Sequence, residues 1–156
     1  MFGDKKIIFV SVLDSNNRSY QELTRRIADH QKTVTDLIKT GSCLIGRKTQ
    51  EMTGWKGEGA WVLTGNKKWR RNQVSVIHNL EDARLHMPGN EIFVLGGISL
   101  FKQLEKNVDE FMLWNINDKS GNESWISLDM SAWKPISYNA QNNWTYAKLT
   151  RIRTIS

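Results

Sequence analysis

The sequence predicts an α/β fold, a single mostly parallel sheet with helices on both faces, and three observations carry the prediction. The segment Ile7 to Leu13 is almost continuously apolar and β-branched, which suits a strand buried on both sides better than one with a wet face. Strand-like and helix-like segments then alternate along the chain, as expected for parallel strands joined by crossover helices. Three of the strand ends carry glycines, small polar residues or cations, and open α/β sheets bind ligands at the carboxyl ends of their strands.

Taken in order, Lys5 to Leu13 is the first strand and Asp14 to Ser19 a polar loop. Leu23, Ile27, His30, Val34 and Leu37 recur at spacings of four, three, four and three, predicting a helix of about five turns that Gly41 ends. Ser42 to Gly46 reads as a second short buried strand, Arg47 to Met52 as a short helix, and Gly54 to Gly59 as a loop carrying Trp55, Lys56 and Glu58. Ala60 to Thr64 is the third strand, followed by Gly65 and the basic run Lys67 to Arg71, and Val74 to Ile77 is the fourth. Leu80 to Met87 reads as a helix and Glu91 to Leu95 as the fifth strand, after which Gly96-Gly97 opens a helix from Ser99 to about Lys106. Glu110 to Ile116 is the sixth strand, and Trp133 to Ser137 and Trp144 to Arg151 are two late strands of an antiparallel edge.

The 156 residues, 39% hydrophobic and 24% charged, predict one domain over 1–156 with its own core. The apolar run at Ile7 to Leu13 is far shorter than the roughly 20 residues of a membrane span, so neither a membrane helix nor a secretory signal is predicted. The single cysteine, Cys43, excludes an internal disulfide and an all-cysteine metal site and points to the cytoplasm. His30, His78 and His86 show no metal-ligand spacing, and no metal is expected. With 22 Lys and Arg against 16 Asp and Glu, the net charge of +6 permits nucleic acid, an anionic membrane surface or a phosphorylated small molecule as partner. The shortness of the run Lys67 to Arg71 and the scatter of the aromatic residues argue against nucleic acid.

Three segments share one chemistry: Gly46-Arg47-Lys48-Thr49, Thr64-Gly65-Asn66, and Gly96-Gly97 before a helix. Each offers backbone N–H groups, small residues or cations, which phosphates require, and a dinucleotide is the candidate ligand. Leu44 to Thr49, Val62-Leu63-Thr64 and Phe93 to Phe101 resemble the dihydrofolate reductase family, and Trp133 to Arg151 fits that family's tail in length and strand pattern.

The resemblance implies a sheet of about eight strands that binds NADPH, with a cis Gly96–Gly97 peptide. It implies that Gly46, Arg47, Lys48 and Thr49 meet cofactor phosphates, that Leu63, Thr64 and Gly65 lie near the adenosine phosphate, and that Gly96, Gly97, Ile98, Ser99 and Leu100 cover the pyrophosphate. Ser99 stands where many members have an arginine, leaving Arg47 to carry more of the NADPH preference. The substrate residues implied are Phe9, Val10, Ser11, Val34, Thr53, Lys56, Leu95 and Trp114.

The acid that aids proton delivery is Asp29 or His30. Counting back from Gly46 without a gap selects His30, which helical spacing puts on the apolar face with Ile27 and Val34; Asp29 requires a one-residue insertion, and a regular helix would turn it away from that face. Other departures from the family are Glu58 where an arginine meets the substrate tail, Trp114 where a threonine bonds the acid, and Asn16 to Thr24 as the only candidate lid. The function implied is NADPH-dependent reduction of dihydrofolate by a cytoplasmic monomer or homodimer. The alternatives are a pyrimidine reductase of the riboflavin-biosynthesis type and a reductase-like protein that binds without turnover.

Overall fold

The computed structural model describes residues 3, 5–14, 18–19, 26–116, 126–127 and 130–152. In chain order the elements are β1 (Lys6–Leu13), β2 (Arg18–Ser19), α1 (Ala28–Thr40), β3 (Cys43–Gly46), α2 (Arg47–Thr53), β4 (Ala60–Leu63), β5 (Ser75–Ile77), α3 (Leu80–His86), β6 (Glu91–Gly96), α4 (Ile98–Leu104), β7 (Glu110–Ile116), β8 (Ile126–Ser127), β9 (Trp133–Ala140) and β10 (Trp144–Arg151). Eight strands form one sheet in the order β5-β4-β3-β6-β1-β7-β10-β9. The six strands from β5 to β7 are parallel, and β10 and β9 add an antiparallel edge. This is the mixed α/β sheet that the sequence predicts.

The continuous apolar run of β1 has the predicted cause, because the strand lies between β6 and β7 and seven of its eight residues are buried. Side-chain alternation divides the core into two layers. Ile7, Phe9 and Leu13 pack with Leu100, Phe101, Leu104 and Phe111, whereas Val10 and Val12 pack with Val34, Ile38, Leu95 and Trp114 under α1. Phe9 anchors its layer through ring contacts with Phe101 at 4.6 Å and Phe111 at 5.4 Å between centroids.

Several element boundaries differ from the sequence reading. The helix α1 begins at Ala28, because Ile27 has extended backbone (φ −124°, ψ 112°) and is buried in the α1 layer. Its place in the apolar spacing thus reflects burial and not a helical turn, and Leu23 lies outside the described residues. The strict alternation of strand and helix fails between β4 and β5, which are joined by turns with no helix. Arg18–Ser19, read as loop, pairs antiparallel with Ile126–Ser127, a long-range pairing with no local pattern to reveal it. Apart from that pair, the candidate lid residues 16–24 lie outside the described residues.

Candidate active site

At the carboxyl ends of β3, β4 and β6 a cavity of about 730 Å³ opens between three connecting segments. Gly46, Arg47, Lys48 and Thr49 line it where β3 runs directly into α2; Leu63, Thr64 and Gly65 line it after β4; Gly97, Ser99 and Leu100 line it where β6 gives way to α4. Of the residues expected at the cofactor, Gly96 and Ile98 are adjacent to this wall without lining it. Asn66 of the Thr64-Gly65-Asn66 segment lines it too, and the sequence reading missed His78, Asn79, Leu80 and Gln103, which also line the cavity. His78 and Asn79 follow a strand end too, that of β5, and this was the available signal.

The backbone approaches closely between the β3–α2 and β6–α4 junctions. A Cβ on Gly46 would stand 3.0 Å from the Gly97 nitrogen. Gly96 has φ +138° and faces Thr49, and the Gly96–Gly97 peptide is cis. Thr49 is buried, and its Oγ1 has no hydrogen-bond partner among the described residues. An orphaned hydroxyl on the cavity wall and glycines that admit a close approach both fit a phosphate-bearing ligand.

Arg47 pairs with Glu51 one turn along α2, and Arg71 reaches the other oxygen of Glu51 at 3.5 Å. From the basic run Lys67 to Arg71, Arg71 thus reaches α2, and it also lies over the Trp69 ring at 5.6 Å. None of these five residues lines the cavity.

The two candidate acids are neighbours at the start of α1 and both meet Trp114 on β7. The indole Nε1–H of Trp114 donates to Asp29 Oδ2 at 2.9 Å. Asp29 is exposed, turned from the apolar face as the helical spacing predicts, yet its Oδ2 lies in the first turn of α1 within reach of the indole. His30 is buried, with its ring edge-on to Trp114 at 5.1 Å. Tyr146 packs on the other side of Trp114 at 4.7 Å, and burial first, then the charges of Asp29 and Glu110, pushes its phenol pKa up.

Of the proposed substrate residues, Val10, Val34, Leu95 and Trp114 come together in one layer. Phe9 belongs to the opposite layer, and Ser11 follows it by strand alternation, so these two do not join the slot. Thr53, half-buried, donates to the Thr49 carbonyl and accepts from the Trp55 N–H, which ties α2 to the following loop. Lys56 lines a separate cavity of about 460 Å³ with Ile38, Lys39, Trp55 and Glu58. Among the described residues there is no helix long and apolar enough to cross a membrane and no His, Cys, Asp and Glu cluster suited to a metal ion.

The fold and the cavity define an α/β protein whose strand ends line a cavity with a chemistry that fits phosphate groups. The chain belongs to the dihydrofolate reductase family, whose model matches residues 14–152. Dihydrofolate reductases of Staphylococcus aureus strains Mu50 and N315 are each 34% identical to it over 85 residues, 53% of this chain and 52% of theirs. The chain thus spans about half the length of the curated relatives it matches. A solved structure titled dihydrofolate reductase from Enterococcus faecalis complexed with NADP(H) and RAB-propyl superposes with a TM-score of 0.78 at 18% identity, covering 95% of this chain and 97% of that one. That likeness is one of fold.

Proposed function

We propose that the protein reduces 7,8-dihydrofolate to tetrahydrofolate in the cytoplasm, with NADPH as the hydride donor. The observation that carries this reading is the Asp29 carboxylate held by the Trp114 indole on the same sheet whose strand ends line the phosphate-suited cavity. Family membership gives the reaction class. NADPH, when bound, supplies the hydride for the imine carbon of the substrate.

The chain's own residues hold, orient and protonate. Arg47, Lys48, Thr49 and Ser99, with the backbone at Gly46, Gly96 and Gly97, would hold the cofactor phosphates, and Leu63, Thr64, Gly65, Ile98 and Leu100 would flank them. Val10, Val34 and Leu95 form the apolar wall that excludes water from the ring. Trp114 occupies Oδ2 of Asp29, and Oδ1 has no protein partner among the described residues, so this oxygen is the one to meet the substrate and support proton delivery to the imine nitrogen. We assign His30 to packing against Trp114. The single buried thiol, Cys43, is consistent with a reducing compartment.

The test is NADPH oxidation with dihydrofolate by wild type, Asp29→Asn and His30→Ala. Turnover in wild type that falls about 100-fold in Asp29→Asn and only severalfold in His30→Ala supports the reading. Wild type that binds NADPH but never oxidises it with dihydrofolate overturns it.

A further inference from the structure

We infer that Tyr146 of β10 is a positioning residue for the proposed reduction: its ring holds the Trp114 indole in the orientation that keeps the indole N–H on Asp29 Oδ2. The inference rests on the reading of function above and adds to it a residue that acts through another.

The torsion that aims an indole is broad and roughly two-fold, so the side chain's own preferences leave the direction of its N–H loosely set. A hydrogen bond weakens steeply once its angle falls below about 120°. Asp29 is exposed, so water competes with the indole for its carboxylate. The bond of 2.9 Å therefore depends on neighbours that keep the indole on line.

The strand register supplies those neighbours. On β7, Trp114 stands opposite Val12 of β1 on one side and opposite Tyr146 of β10 on the other. Directly opposed side chains share a face of the sheet and touch. Val12 and Trp114 belong to the layer under α1, and Tyr146 packs against that layer. Trp114 is buried, and two rings meet its indole. His30 approaches from α1 at 5.1 Å with an interplanar angle of 78°, and Tyr146 lies at 4.7 Å with an angle of 46°. Tyr146 is thus the nearer ring and the more nearly parallel, the contact that resists rotation of the indole about its long torsion. Burial first, then the charges of Asp29 and Glu110, keep its phenol protonated, so no second negative charge arises beside the carboxylate.

The test is single-turnover hydride transfer from NADPH to dihydrofolate in wild type, Tyr146→Phe, Tyr146→Leu and Tyr146→Ala, each measured again in the Trp114→Phe background. Tyr146→Phe keeps the ring and should keep the wild-type rate. Tyr146→Ala should slow transfer roughly fivefold with NADPH affinity unchanged. Tyr146→Leu, which keeps apolar volume without a flat face, should lose part of that rate and carries the comparison should Tyr146→Ala fail to fold. In the Trp114→Phe background there is no indole N–H to aim, so the same substitutions should leave the rate unchanged, whereas a side chain that only packs would cost the same in both backgrounds. The Trp114 indole N–H resonance in NMR spectra reads the same event without turnover. It is identified by its absence from Trp114→Phe. In Tyr146→Leu and Tyr146→Ala it should move towards its position in Asp29→Ala, and in Tyr146→Phe it should stay in place. A loss in Tyr146→Phe as large as in Tyr146→Ala, an equal loss with and without the indole, or a resonance unmoved in Tyr146→Leu and Tyr146→Ala overturns the inference and leaves the functional reading standing. Absence of turnover in wild type overturns both.

Discussion

Trp114 gives the carboxylate of Asp29 a fixed donor in its indole N–H. Replacing it by phenylalanine keeps a ring against His30 and Tyr146 but removes the N–H at 2.9 Å. We expect Trp114→Phe to slow turnover about tenfold while NADPH affinity stays unchanged, a separation that single-turnover and binding measurements read directly. Thr49 is the complementary case on the cofactor side. Its buried hydroxyl has no partner among the described residues, so Thr49→Val should match or exceed wild type in melting temperature yet bind NADPH at least about tenfold more weakly. Cys43 serves neither role. Burial pushes its thiol up to about 12, so iodoacetamide should label the native protein negligibly and the unfolded chain readily.

At the scale of elements, the site depends on how closely the β3–α2 junction approaches the β6–α4 junction. Glycine at 46 allows that approach, since a Cβ there would press on the Gly97 nitrogen at 3.0 Å. Gly46→Ala must push the two junctions apart by a few tenths of an ångström. The expected outcome is a stability loss of about 1–2 kcal/mol in denaturant melts and a larger proportional loss of NADPH affinity. A melt unchanged from wild type together with unchanged affinity would show that the junctions yield without cost. These junctions are legible in the sequence because glycine, cation and hydroxyl follow a short apolar strand within a few residues. The start of α1 is not, because burial of an extended Ile27 imitates a helical repeat.

Across the whole molecule, the sheet is tied at the end remote from the cavity by Glu110 of β7, which meets Lys6 of β1 at 2.5 Å and Lys148 of β10 at 3.4 Å. Burial alone would raise the Glu110 carboxyl, but the two lysines outweigh it and hold the group below its ordinary 4.5. A carboxylate depressed on folding contributes stability above its unfolded value, and that contribution is lost as pH falls through the lower folded value. Unfolding free energy should therefore decline below about pH 4.5, and Glu110→Gln should be less stable at neutral pH with a shallower acid limb. Parallel pH series of denaturant melts for the two proteins check this. The sequence by itself determined the eight strands of the main sheet, their mostly parallel arrangement and the three phosphate-suited junctions, since each is encoded by residues adjacent in the chain. Only the tertiary structure decided that Phe9 and Val10 serve opposite layers, that His78 joins the cavity wall, and that Asp29 meets Trp114 across 85 positions of sequence. Those outcomes depend on which strand lies beside which and where α1 begins, and both are set by packing between segments far apart in the chain.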